Sequence, residues 1–324
     1  MTRQCYRILM LLLMVALVVP NAARAADWPT KPVRIIVPYP PGGVGDMSTR
    51  AFAARFAEAI GQPVNVENLP GGNQIIGVQA AASAEPDGHT LVVVTPTSLV
   101  LNPALRRTLP YAPEKLTLIS RLYSSPLFVI VNPKVPVSSI AELIAYAKAN
   151  PGALNYASTG EGAATHLITE RFAQVAGIRM NHVPYKGGSA IAVDLLSGVL
   201  QVYFDPGAAS LPMVRDGRLK ALAVTGTTRS RSLPEVPTVK EAGTNYDVIS
   251  WWGLGGPEGI SPDVARRISA AAAKAIGDGS ALADQALKLG IEYGASTPEE
   301  FTAFVEKERS LWGGVVKTLG LKAQ

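Results

Sequence analysis

The chain has 324 residues, 48% hydrophobic and 17% charged, with 30 Lys+Arg against 25 Asp+Glu. It is too apolar for a disordered chain, and its 30 glycines and 25 prolines follow no G-X-Y period, which excludes collagen-like and low-complexity classes. Its one cysteine, Cys5, excludes a disulfide scaffold and a thiolate metal site.

The N-terminus reads as an export signal. Arg3 and Arg7 precede an apolar run from Ile8 to Val19, Pro20 and Asn21 break it, and Ala23-Arg24-Ala25 supplies the small residues of a cleavage site after Ala25. The run is shorter than the roughly 20 residues a spanning helix needs. Cleavage removes Arg3, Arg7 and Arg24, and with them most of the net charge of +5. The Arg229-Ser230-Arg231 cluster reads as a solvated loop, and no Lys/Arg run is dense enough to track phosphates, so no nucleic-acid partner is expected.

Past the signal, strand and helix patterns alternate. Val33 to Val37 is a β-branched run that reads as a buried strand, followed by the loop Tyr39-Pro40-Pro41-Gly42-Gly43-Val44-Gly45-Asp46. Phe52, Phe56, Ala59 and Ile60 share a helical face that Gly61 ends. Val64 and Val66 alternate as in a strand, and Gly71-Gly72-Asn73 precedes a helix from Ile75 to Ala84. Leu91 to Val94 is a buried strand with Thr95-Pro96-Thr97-Ser98 as its loop, and Leu127 to Val131 is another strand. Ser138 or Ser139 caps a helix over 140–148, and Leu154 to Ala157 is a strand. Ser158-Thr159-Gly160-Glu161-Gly162 opens the helix around His166 to Val175. After a strand at Met180 to Val183, Tyr185-Lys186-Gly187-Gly188 opens a helix, and strands follow at 202–204 and 219–224. From Pro262 to Lys322 the pattern is nearly all helical, starting at Ser261 or Asp263 and again at Thr297, where Glu300 completes a capping box. The length suits roughly two domains, and the alternation predicts an α/β architecture with mostly parallel sheets.

In open α/β sheets ligands sit beyond the carboxyl ends of the strands, where the loops at Gly42–Asp46, Thr95–Ser98, Ser158–Gly162 and Tyr185–Gly188 fall. Glycine lets backbone N–H groups approach a ligand, and a helix N-terminus adds unpaired donors and partial positive charge. Together they form an anion site without an arginine, suited to a small carboxylate. Asp46 either caps the following helix or accepts from a ligand hydroxyl or ammonium. Ser158 and Thr159 cap or donate to a carboxylate. His166 is structural or a ligand contact, Lys186 a surface lysine or an offset to ligand charge, and Asp205 faces the cleft or caps a turn. Trp251 and Trp252 read as core or hinge. The G-x-G patterns at 43–45 and 160–162 lack a third glycine, no nucleophile elbow occurs, and His89, His166 and His182 have no i,i+4 pairing. No cofactor, metal or catalytic residue is therefore expected.

Tyr39-Pro40-Pro41-Gly42-Gly43 with Asp46 and Arg50 resembles the P-G-G-x-x-D-x-x-A-R signature of Bug-type solute receptors, the extracytoplasmic receptors of tripartite tricarboxylate transporters. The likeness continues through Glu85-Pro86-Asp87-Gly88, Tyr156-Ala157-Ser158 to His166-Leu167, Val183-Pro184-Tyr185-Lys186-Gly187, Asp194 to Gly198, Phe204-Asp205, Gly217 to Val224, Val236-Pro237-Thr238 and Thr297 to Phe301. Val44-Gly45 departs from it, standing where relatives often carry Ser or Thr. The resemblance implies a two-lobed periplasmic binding protein fold, type II-like, with a hinge crossed twice near Ser124-Ser125-Pro126 and Ser250-Trp251. Lobe 1 would take 26–125 and 251–324, and lobe 2 126–250. A monomer would close on a carboxylate (dicarboxylate, tricarboxylate, acidic amino acid or aromatic acid) and deliver it to membrane permease subunits. The implied ligand residues are Tyr39, Gly42, Gly43, Val44, Asp46, Thr95, Ser98, Ser158, Thr159, Gly160, Gly162, Ala163, His166, Tyr185, Lys186, Gly187 and Asp205. The alternatives are a receptor feeding a signalling system and an exported hydrolase or lyase using Ser158 or His166.

Overall fold

The computed structural model describes residues 28–277 and 282–318; the signal-peptide reading of 1–25 and the end of the tail helix pattern lie outside them. The chain builds two sheets. The six-stranded sheet runs β11-β4-β10-β3-β1-β2 and the five-stranded sheet β7-β6-β8-β5-β9. In the first, β1 (Val33–Val37), β2 (Val64–Asn68) and β3 (Thr90–Val94) are parallel, while β10 (Ile249–Gly256) is antiparallel to β3 and β4 (Thr117–Pro126). In the second, β6 (Asn155–Ser158) is parallel to β7 (Asn181–Pro184) and β8 (Val202–Asp205), while β5 (Phe128–Val131) is antiparallel to β8 and β9 (Lys220–Val224).

The expectation of mostly parallel sheets is thus corrected: both sheets are mixed. The antiparallel strands lie where the chain passes between sheets. β4 ends at Pro126 and β5 begins at Phe128 in the other sheet, and after β9 the chain returns to the first sheet as β10. Strands β4 and β10 escape a sequence reading because their polar residues sit at buried positions. Ser120 and Ser125 are fully buried with their hydroxyls on carbonyls, Ser120 on Ser296 and Ser125 on Gly290.

Strand periodicity sets the cores. Ile36, Val92 and Val94 face one hydrophobic cluster, while Ile35, Val37, Leu91 and Val93 face another on the opposite side of the first sheet. In β5, Val129 and Val131 join the first cluster, and Phe128 and Ile130 join a third. The first cluster therefore runs through both halves and joins them. Each fully buried large apolar side chain in it contributes about 1.5–3 kcal/mol.

Helices begin and end where their capping residues stand. Ser139 accepts from Glu142 N–H at the start of α4 (Ile140–Ala149), and Ser261 does the same for Val264 before α8 (Pro262–Ile276). The other helices in chain order are α1 (Val44–Ile60), α2 (Ile75–Ala82), α3 (Asn102–Leu105), α5 (Ala164–Ala176), α6 (Gly188–Ser197), α7 (Leu211–Arg215), α9 (Ala283–Leu289) and α10 (Pro298–Thr318). Thr297 and Glu300 bond reciprocally, Glu300 Oε2 accepting from Thr297 N–H at 2.9 Å and Thr297 Oγ1 from Glu300 N–H at 3.1 Å. The tail is less uniformly helical than its pattern: β11 (Glu292–Tyr293) pairs with β4 between α9 and α10. The segment read as the Thr95–Ser98 loop continues instead into a π-helical turn at Thr97–Leu101 and then α3.

Candidate functional site

The β1–α1 loop is braced from below by Asp46. Its carboxylate accepts from Gly42 N–H, Arg50 Nε and Asn68 Nδ2, each at 2.9 Å, and the residue is only 4% exposed. Arg50 also reaches Asn68 Oδ1, so the aspartate charge is paired. Gly43 is the N-cap of α1 and carries no side chain to cap it. Among the described residues, the N–H groups of Val44 and Gly45 have no acceptor. Gly45 is required by close packing: a Cβ there would stand 2.9 Å from Tyr39 Cδ2 and 3.2 Å from Trp252 Nε1.

The Gly71–Gln74 loop supplies the next layer. Four consecutive residues hold positive φ, ending with Asn73 at 56° and Gln74 at 77°. This strained backbone directs Gln74 inward, where Nε2 donates to Tyr39 OH at 2.9 Å and Oε1 accepts from Thr95 Oγ1 at 2.8 Å. Burial pushes the Tyr39 hydroxyl up to about 12 against the neighbouring polar groups of Thr95, Trp252 and Gln74. The Trp252 indole N–H is buried without a completed hydrogen bond. Asn73 pairs with Asn102, whose Nδ2 donates to Asn73 O at 2.9 Å.

On the second sheet, β6 ends in the Ser158–Ala163 loop. Ser158 is fully buried, its hydroxyl 2.6 Å from His182 Nε2 and 2.9 Å from Gly160 O. His166 Nδ1 accepts from Gly162 N–H at 3.0 Å, so the neutral ring carries its proton on Nε2. The two imidazoles stack at 3.8 Å and 7°, and Tyr156, the strand partner of His182, stacks on that ring at 5.1 Å. Desolvation lowers both histidines from 6.5 to about 4. Tyr156 is in turn held by Glu170. Thr159 N–H and Oγ1 both engage Thr165 Oγ1. The N-cap Ala163 leaves α5 uncapped from its own sequence.

Near α6, Tyr185 OH donates to Asp194 at 2.5 Å, and burial with that carboxylate raises its pKa to about 12. Lys186 is exposed, and a Cβ on Gly187 would meet Pro40 of the first loop at 3.7 Å. Asp205 is buried and accepts from Ser210 N–H at 2.9 Å and from Ser210 Oγ. Desolvation raises its pKa against those donors and Gly207 N–H.

The two sides touch across this region. Ala164 N–H of α5 donates to Thr97 Oγ1 at 3.1 Å, and Asn73 Nδ2 donates to Glu161 O at 3.4 Å. The loops carrying Tyr39, Gly42, Gly43, Val44 and Thr95 are thereby gathered against those carrying Thr159, Gly160, Gly162, Ala163, Tyr185, Lys186 and Gly187. Besides Tyr39 and Thr95 on Gln74, Thr159 on Thr165 and Tyr185 on Asp194, five more sequence-predicted residues have their polar side-chain atoms engaged within the protein. Asp46 braces its loop, Ser98 is fully buried and bonded to Thr95 N–H and O, Ser158 lies under the glycine loop, His166 receives Gly162, and Asp205 caps α7. Sequence reasoning omitted Asn68, Gln74, Thr97, Asn102, His182 and Trp252. Asn68 and His182 stand at or near strand ends, and Gln74 directly follows the glycine loop, which are the available signals.

Residues 48–321 match the model of the tripartite tricarboxylate transporter family receptor. The chain belongs to this family. It is 34% identical over 301 residues to Protein BugT of Bordetella pertussis, covering 92% of each chain. A structure described as R. palustris Rpa4515 with adipate superposes with a TM-score of 0.86 at 33% identity, covering 92% of this chain and all of that one. MatC from Rhodopseudomonas palustris with bound malate gives 0.80 at 28% identity, covering 89% and 100%. The protein is thus a Bug-type, periplasmic solute-binding protein with the two-lobed fold. Among the described residues no helix is long and apolar enough to cross a membrane, and no group of three or more His, Cys, Asp or Glu is placed to hold a metal ion.

Proposed function

We propose that the protein captures a small carboxylate between its two lobes and delivers it to the membrane subunits of a tripartite tricarboxylate transporter. The observation that carries this is the pair of helices, α1 and α5, that begin at Gly43 and Ala163 without a capping side chain of their own and present N–H groups from opposite sides. Such ends hold anions through donors and dipole together. The relatives with adipate and malate support the same chemistry. Lobe 1 comprises 26–125 and 251–324, lobe 2 comprises 126–250, and the chain is exported, cleaved after Ala25 and monomeric.

In this reading Val44 N–H at the opening of α1 meets the anion directly or through water, with Gly43 beside it, and the loop of Thr159, Gly160, Gly162 and Ala163, whose own N–H groups are bonded within the protein, flanks it from the other side. Tyr39 and Thr95 form the wall, and Tyr185, Lys186 and Gly187 line the far side. Asp46, Ser98, Ser158, His166 and Asp205 shape the site without touching the ligand. In this reading the protein turns nothing over, which the full burial of Ser158 supports, although His182 stands beside it. A thermal-shift screen of the chain from Ala26 against dicarboxylates, tricarboxylates, acidic amino acids and aromatic acids tests the reading. A ligand at 100 times its Kd adds about 2.7 kcal/mol. A flat screen, with no acid released from the denatured protein by mass spectrometry, overturns it.

A further inference from the structure

We infer that Gln74 is a positioning residue for the ligand: it donates into the oxygen of the Tyr39 hydroxyl, so that the hydroxyl's own proton is left to donate to an oxygen of the bound acid. This rests on the carboxylate reading and names a donor of that same site. The sign of it is a glutamine in a glycine's conformation. Gln74 holds φ 77° and ψ −6°, in the left-handed region that side chains other than Asn and Asp rarely adopt, directly after Gly71, Gly72 and Asn73. Such a backbone persists only where its surroundings impose it, and it clusters at ligand sites. The side chain shows what imposes it here: Gln74 is 5% exposed, and both ends of its amide are bonded.

The protons around this amide run in one direction. Thr95 Oγ1 donates to Gln74 Oε1 at 2.8 Å, and Gln74 Nε2 donates to Tyr39 OH at 2.9 Å. The Trp252 indole N–H is directed at Tyr39 as well, without completing a bond. A phenol carries one proton of its own besides its lone pairs, and that of Tyr39 has no acceptor among the described residues. With its pKa pushed up to about 12 by burial, the hydroxyl keeps this proton at neutral pH. Gln74, Thr95 and Trp252 are buried, whereas Tyr39 is only half-buried and keeps an exposed face. Its ring lies against the opening of α1, where Cδ2 stands 2.9 Å from the Cβ position on Gly45, next to the unpaired N–H of Val44. Without the glutamine, Tyr39 can turn its proton to Thr95, its other polar neighbour, and the ligand loses a donor.

A double-mutant cycle tests this by isothermal titration of the dialysed chain from Ala26 with adipate, succinate, malate, citrate and any retained acid identified by mass spectrometry. For the acid that binds best, Tyr39→Phe weakens binding about tenfold, the loss expected for one hydrogen bond to a charged group. Gln74→Gly, which relieves the backbone, weakens it by a similar factor alone and by less than about twofold in the Tyr39→Phe background, because the two side chains act through one proton. Gln74→Asn suits the same backbone but is too short to span Thr95 and Tyr39, and it carries the same cycle if the glycine variant melts early. An unchanged affinity in Tyr39→Phe, or losses that multiply in the double variant, overturns the inference and leaves the carboxylate receptor standing. If no acid binds the unaltered chain and none is retained, the carboxylate reading falls and this inference falls with it.

Discussion

The stacked pair His166 and His182 ties the ligand loop to the protonation state of two rings. His166 Nδ1 must be unprotonated to accept Gly162 N–H, and two charged imidazoles at 3.8 Å repel. Both rings fall from 6.5 to about 4 on folding, so between these values the unfolded chain binds more protons than the folded one. Their contribution to stability is complete above pH 6.5 and is lost as pH falls toward 4. Glu161 and Glu170 act on His182 in the opposite sense without reversing its shift. Melting temperature is therefore expected to drop between pH 6.5 and 4, and the drop to shrink in His182→Gln, measured by calorimetry across that range. An unchanged slope in the variant would show that the stack does not govern it. Asp46 gives a second residue-scale prediction. Asp46→Ala leaves Gly42 N–H, Arg50 and Asn68 without their acceptor, and unfolding in urea is expected to show a loss of about 1–3 kcal/mol. Weaker binding with full stability would return Asp46 to the role of a ligand contact.

At the scale of elements, α5 takes its cap from the other side of the cleft. Ala163 offers no side-chain acceptor, and Thr97, at the start of the π-helical turn after β3, accepts from Ala164 N–H. An N-cap hydroxyl contributes about 1 kcal/mol, and this one exists only while the two sides are together. Thr97→Val is expected to weaken every ligand by a common factor of about fivefold, read as faster dissociation in stopped flow, while Thr97→Ser restores it. A ligand-dependent loss would mean that Thr97 touches the ligand instead. This cap also shows why part of the site was hidden in the sequence. Local rules located α1, α4, α5 and α8 because caps, glycine stops and periodicity lie within a few residues, and the reciprocal Thr297–Glu300 bonds were readable from spacing alone. Thr97 and Ala164 are 67 residues apart, and the Tyr156–His182 register is set by strand pairing, so neither leaves a local trace. Strand β4 was missed for the same reason: its serine hydroxyls, buried on distant carbonyls, imitate a loop composition.

At the scale of the whole molecule, the passages between sheets are packed backbone to backbone. Ser125 Oγ, at the end of β4, lies 2.9 Å from both Pro206 O and Gly290 O, gathering the β8–α7 and α9–β11 connections around the crossing. Gly207 sits there with φ 122°, and a Cβ on it would come within 2.4 Å of Leu289 O. Gly290 is similar, with φ 71° and a Cβ position 2.6 Å from Phe128 Cε2. Both glycines are therefore needed for the two halves to approach at this point. In Gly207→Ala the added methyl meets backbone rather than a flexible side-chain end, so the connection itself must move. Strain in φ and the overlap together are expected to cost about 1–3 kcal/mol, or several degrees in melting temperature at this chain length. Because the displaced segment lies at the passage and not among the ligand loops, ligand selectivity should stay the same while the distance between labels on the two lobes lengthens. Calorimetry with a pair of engineered labels, one on α2 and one on α6, checks both parts. A stable variant with an unchanged inter-lobe distance would mean that the contact between Gly207 and Leu289 does not set how the lobes meet.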